Sequence, residues 1–114
     1  MRAEVLTTAV GDAYAAAVEH GSEGGETRGI SIRGDRLTVW TERDGRREVL
    51  LDALLDEGDA GLLFEALKRI RDPAQFDELF DVLTNAEICS GDDGRIHICD
   101  EGFGHILGIV LEEP

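Results

Sequence analysis

Positive charge is scarce in this chain of 114 residues. Lys68 is the only lysine beside ten arginines, and these eleven cations face 25 acidic residues, leaving a formal net charge of -14. Such a deficit argues against direct contact with nucleic acid or an anionic membrane surface. Long apolar runs are missing as well. None approaches the roughly 20 residues needed to cross a bilayer, and the start of the chain has neither the basic residues nor the apolar stretch of a signal peptide. A cytoplasmic location is the expectation that follows. Only two cysteines occur, too few for a disulfide framework, and in a reducing compartment both are expected as free thiols. Stability must then come from packing, for which 42% hydrophobic residues suffice. The sequence shows no internal repeat or interdomain linker, so residues 1–114 read as a single acidic domain, near the usual size for one core.

The charge is unevenly spread. Residues 1–51 hold seven arginines and nine acids, net -2, whereas residues 52–114 hold four cations and sixteen acids, net -12. A preference for arginine and acids fits a high-GC genome or a salt-adapted host, but neither origin explains the segregation. It predicts an electrically lopsided molecule.

The fold class expected is α+β: an N-terminal helix, a three-stranded antiparallel meander, two helices and C-terminal antiparallel strands. The first helix is read over residues 2–21, where Leu6, Val10, Ala13, Tyr14 and Ala17 recur at helical spacing, Gly21 is a stop, and His20 suits the negative end of the helix. Next, Gly34-Asp35 and Asp44-Gly45 are tight-turn pairs between strands. They set Ile32 opposite Leu37, Ile30 opposite Val39, Trp40 opposite Val49 and Glu42 opposite Arg47. One face then carries Ile30, Ile32, Leu37, Val39 and Leu50, a seat for the first helix. The other carries Ser31, Arg33, Arg36, Thr38, Trp40, Val49 and Leu51. This second face is either core beneath the later helices or a contact surface built on Trp40, Arg36 and Val49. A second copy of the chain is one cover expected for it.

Beyond Asp52 the period becomes helical. Leu62, Leu63, Ala66, Leu67 and Ile70 follow Asp59, read as their cap. Asp72 caps the next helix, with Pro73 at its first position and Gln75 completing a variant capping box. Phe76, Leu79, Phe80 and Leu83 form its apolar stripe, and Asn85 ends it. "AEICS" and "RIHIC" read as strands around Gly91-Asp92-Asp93-Gly94, and "HILGIVLE" as a buried final strand entered through Gly102 and Gly104.

Chemistry is thin by comparison. Pairing Ile88 with Ile98 would put Glu87, Cys89, His97 and Cys99 on one hairpin face. Zinc takes such donors, but structural sites present two closely spaced ligand pairs and only His97-x-Cys99 is close, so no metal or other cofactor is expected and these residues stand as weak candidates. The "GDDG" turn lacks the alternating acids of a calcium loop. No nucleophile elbow or phosphate loop occurs, and nothing selects His97 or His105 as a general base, so the chain does not read as an enzyme.

What remains is acidity with a distribution. Asp56, Glu57, Asp59, Asp72, Asp77, Glu78, Asp81, Asp92 and Asp93, with Asp100 and Glu101 beyond them, set negative charge on two helices and at two turns, where rows of carboxylates can imitate phosphates. The expected function is a non-enzymatic inhibitor whose acidic half occupies a basic, nucleic-acid-binding surface on a protein partner. In size and charge it is similar to toxin immunity proteins and phage anti-defence inhibitors, including anti-CRISPR proteins. A second reading is a chaperone or assembly adaptor: helix, three strands, helix and further strands with an acidic balance resembles class I secretion chaperones in outline, although the helix after Pro73 departs from them. A third is a metal- or thiol-dependent regulator using Cys89, His97 and Cys99.

Overall fold

The computed structural model describes residues 2–10, 13–21, 24–85, 88–90 and 94–112. Five strands, β1 (Arg2–Val10), β2 (Ala13–Gly21), β3 (Glu26–Arg33), β4 (Arg36–Arg43) and β5 (Arg46–Leu54), form one antiparallel sheet in chain order. Helices α1 (Glu57–Arg69) and α2 (Pro73–Asn85) follow, then the short hairpin β6 (Ile88–Ser90) and β7 (Ile96–Ile98), and finally helix α3 (Glu101–Glu112). No helix among the described residues is long and apolar enough to cross a membrane.

The meander forms as the turn residues dictate. Asp44 and Gly45 both have positive φ, 53° and 76°, the backbone of a two-residue hairpin turn whose twist matches its strands. The register follows, with Ile32 opposite Leu37, Ile30 opposite Val39 and Trp40 opposite Val49. Period-two alternation sends Ala16, Val18, Ile30, Ile32, Leu37 and Val39 to one face, where they meet Leu63, Leu67, Phe76, Leu79 and Leu83 of α1 and α2 in one core. Both helices lie against this face, and α3 packs on them through Phe103, Ile106, Leu107 and Val110. Truncating a fully enclosed side chain such as Phe76 to alanine would cost about 3–5 kcal/mol.

Four expectations are corrected. The N-terminal helix is instead the hairpin β1–β2, so the meander has five strands, and His20 lies in a strand rather than at a helix end. The observed period is two: Ala16, Val18 and His20 are buried while Ala15, Ala17 and Glu19 are not, and Ala17, which fits the helical wheel, is among the latter. The sheet gains more by extending its apolar face than alanine's helix propensity offers, since propensity is a weak prior against tertiary packing. The outline shared with secretion chaperones loses its first helix.

The final strand is instead α3. Asp100 accepts the Gly102 N–H at 2.8 Å, and the buried residues 103, 106, 107 and 110 keep helical spacing despite three glycines. The cap of α1 is Asp56 rather than Asp59: its side chain accepts the Asp59 N–H at 2.8 Å, an interaction worth about 1 kcal/mol. Asp72 does cap α2, accepting the Ala74 N–H at 2.9 Å. Lastly, a bulge shifts the β4–β5 register between Val39 and Trp40, so that Leu51 rather than Leu50 faces the core and Leu50 is exposed.

Trp40 meets neither alternative fully. Its side chain is 5% exposed, yet it lies on the helix-free face, outside the main core. It fills the space over Gly29, its partner on β3, and is roofed by Arg47, whose guanidinium carbon is 4.6 Å from the ring centroid. Glycine on the neighbouring strand makes the slot that a lone tryptophan fills.

Candidate functional site

The hairpin β6–β7 and the start of α1 bring together the densest group of chemically capable side chains among the described residues. The pairing of Ile88 with Ile98 is as the sequence suggests, with Cys89 opposite His97. The cysteines are not free thiols, however. Cys89 and Cys99 form a disulfide with Cα atoms 6.0 Å apart, which removes both from the pool of metal ligands or reactive thiols. Disulfides persist where thiols are not kept reduced, so this bond stands against the reducing compartment assumed for them. Glu87, Asp92 and Asp93 lie outside the described residues.

His97 turns instead toward α1. Its Nδ1 lies 2.8 Å from Asp59 Oδ2 and 3.1 Å from Asp56 Oδ2. Asp59 is only 8% exposed, and the same oxygen accepts the Ile98 N–H at 3.1 Å. The negative charge of Asp59, its hydrogen bond and the further charge of Asp56 together hold His97 above its ordinary 6.5. Backbone joins the same elements, with the Asp56 N–H donating to Ile96 O at 3.0 Å. Beside it Arg95 donates to Asp35 Oδ2 at 2.7 Å and to the Leu55 carbonyl at 2.9 Å. The hairpin is thus fastened to the end of the sheet and to the first turn of α1.

Asp56, Asp59 and His97 each have a donor atom within 4.8 Å of the others, the spacing of a three-ligand metal site. Two physical points weaken that use. The oxygens already accept the Asp59 and Ile98 N–H groups and the imidazole, and the positive end of the α1 dipole disfavours a cation. The pair Asp59–His97 also has the arrangement of a carboxylate orienting a base, but no hydroxyl or thiol is hydrogen-bonded to His97 Nε2 among the described residues. As it stands, the cluster is a charge-assisted clasp.

The other acids divide by role. Asp72 is spent on the α2 cap. Asp77 turns toward the sheet, 3.3 Å from His20 Nδ1 and 3.8 Å from an Arg28 nitrogen, so it does not share a free stripe with Glu78 and Asp81. His20 itself is 3% exposed, stands edge-on to Phe76, and has no hydrogen-bond partner for Nε2 among the described residues. Glu57, Glu78, Asp81, Glu101 and Glu112 are exposed and make no ion pair among the described residues. His105 is exposed on α3.

The arginines lie elsewhere. Arg36 grips Asp52 with two bonds of 2.8 Å on the helix-free face, which raises the arginine and lowers the aspartate from their ordinary values. An open hollow of about 570 Å³ at the β4–β5 tip gathers Arg43, Arg46 and Arg47. Glu26, Asp44 and Glu48 line it too, so its charge does not select an anion. What the sequence missed was the partnership of His97: Asp56 and Asp59 stand about forty residues away, and only their position before an apolar helical run hinted at fixed geometry.

No known family model matches the chain, and no characterised protein or solved structure matches it significantly.

Proposed function

We propose that the protein is a non-enzymatic binding protein whose acidic helical layer docks on a basic, nucleic-acid-binding surface of a protein partner and blocks it. The observation that carries this reading is the set of exposed carboxylates Glu57, Glu78, Asp81, Glu101 and Glu112, which have no ion-pair partner among the described residues. Most cations near them are engaged. Lys68 pairs with Glu65, Arg69 donates to the Leu111 carbonyl, and Arg71 donates to the Lys68 and Ile70 carbonyls. Unpaired charge of one sign favours fast, steered association and restricts the choice of partner.

The test is to recover partners from host lysate by cross-linking and then measure the purified pair. Association should weaken steeply with salt, because exposed charges are screened within about 8–10 Å under physiological conditions. Replacing Glu57, Glu78 and Asp81 by Gln, Gln and Asn should weaken it at low salt while folding is retained. Replacement of Arg43, Arg46 and Arg47 by Gln should change it less. Nucleic acid should compete for the partner. Binding indifferent to salt and to the acidic triple, but lost on changes around Trp40, would replace this reading by that of an adaptor.

A further inference from the structure

The fifth strand is an open edge with an unusual composition. Strand β5 pairs with β4 on one side, and no strand among the described residues covers its other side until Ile96 of β7 bridges Leu55. Over Arg46–Leu54 the outward backbone N–H and C=O groups are therefore available to another strand. Natural proteins blunt such edges with proline, short length or dense charge. This one is nine residues long and has no proline, and Val49, Leu50 and Leu54 are 53, 43 and 43% exposed.

Its charges are ordered along the strand. Arg46, Arg47 and Glu48 stand at the start, Asp52 near the end, and apolar residues 49–51 between them. Reversed on itself, such a strand meets its own complement. We propose that β5 pairs antiparallel with β5 of a second copy about a two-fold axis, joining the two sheets edge to edge. A two-fold contact requires that if one residue meets another, the converse contact also forms. Here Arg47, which pairs with Glu42 in its own copy, meets Asp52 of the second copy, which is held by its own Arg36, so the charges alternate in sign along the row Glu42, Arg47, Asp52, Arg36, and the converse row forms by symmetry.

The bulge fixes the register. Residues 47, 49, 52 and 54 share the helix-free face, because they pair with Glu42, Trp40, Thr38 and Arg36, whereas 46, 48, 51 and 53 share the core face. A symmetric pairing keeps like faces together only when one of the two opposed positions lies before the bulge and the other beyond it in odd–even alternation. Arg47 opposite Asp52, Glu48 opposite Leu51 and Val49 opposite Leu50 meet that condition. Centring the axis on Leu50 would oppose Glu48 to Asp52 and mismatch the faces, and like charges directly opposite destabilise a sheet. A shift of one residue pair either way removes both opposite-charge pairs, setting Arg47 against Leu50 or Leu54. The occupant is thus a second copy rather than an arbitrary strand, and the argument does not depend on the acidic layer.

Light scattering on the eluting full-length protein, from micromolar to near-millimolar concentration, should show a dimer. Amide exchange in β5 should slow as concentration rises. Val49→Lys should give a monomer whose thermal midpoint equals that of the wild type at dilutions where the wild type is monomeric, since the residue is exposed in the single copy. Arg47→Glu breaks two pairs at once by symmetry and should weaken dimerisation by about tenfold or more. Arg33→Glu, exposed on the same face but on β3, should leave it intact. A monomer at every concentration, a dimer indifferent to Val49→Lys, or equal effects of Arg47→Glu and Arg33→Glu overturns the proposal.

Discussion

Replacing Gly29 by alanine sets two effects of opposite sign against each other. In a strand, alanine is favoured over glycine by about 0.5–1 kcal/mol, because glycine loses more backbone freedom on folding. The structure predicts the reverse outcome. A Cβ at Gly29 would fall inside the contact envelope of Trp40 Cε2 and Cζ2 and 2.7 Å from Nε1, against a ring rather than the tip of a flexible chain. The indole would have to lift, losing its burial and its packing beneath Arg47. Overpacking of this kind costs about 1–3 kcal/mol, so Gly29→Ala should destabilise by about 1–2 kcal/mol net. Denaturant unfolding followed by far-ultraviolet circular dichroism reads this in every variant, and the fluorescence of Trp40, the sole tryptophan, reports on the slot itself wherever it is retained. In a Trp40→Ala background the obstruction is gone and Gly29→Ala should become neutral or stabilising, so the double-mutant cycle should show strong coupling. Equal destabilisation in both backgrounds, or a gain in the wild type, would refute the account of the slot.

Two further outcomes follow from the hairpin. His97 is held above its ordinary 6.5 by Asp59 and Asp56, so its contribution is complete below the unfolded value of about 6.5 and is lost as pH rises through the raised folded value; the stability advantage of wild type over His97→Gln should shrink as pH rises above about 6.5, and a constant difference would contradict the clasp. The Cys89–Cys99 bond closes a separation of ten residues, for which chain entropy gives up to about 2–3 kcal/mol; denaturation with and without reductant measures it, and identical curves with verified thiol states would show that the bond does not hold the hairpin.

Legibility in the sequence followed the range of the interactions. The β3–β4 register, the β4–β5 register from the turn to Trp40 and both ends of α2 could be read because their determinants are local: Asp44-Gly45 sets a turn and Asp72-Pro73 starts a helix within a few residues, whereas the bulge beyond Trp40 had no such signal. Residues 13–21 suit either period because their run of alanines supplies apolar positions at both spacings, and only the waiting edge of β3 decides between them. "HILGIVLE" was misread for its apolar content, although Phe103, Ile106, Leu107 and Val110 already carried a helical period. Asp59 showed a different failure. A carboxylate before an apolar helix looked like a surface cap or a contact residue, and its burial against Ile98 and His97 depends on a hairpin that arrives almost forty residues later.

The two proposals meet in the geometry of the sheet. All three helices lie on one side of it, and the β5 register that matches Arg47 with Asp52 keeps like faces together. Two copies joined in that way carry their helical layers on the same side, not on opposite sides. The helices that carry the unpaired carboxylates of both copies then lie on that side, while Arg33, Arg36 and the Trp40–Arg47 stack remain on the reverse. If the acidic layer docks as proposed, one copy would offer a basic partner a single contact. The pair would offer two at a fixed separation, and the second contact would become intramolecular once the first had formed. Edge pairing would therefore act on partner choice through spacing, without contributing any charge of its own.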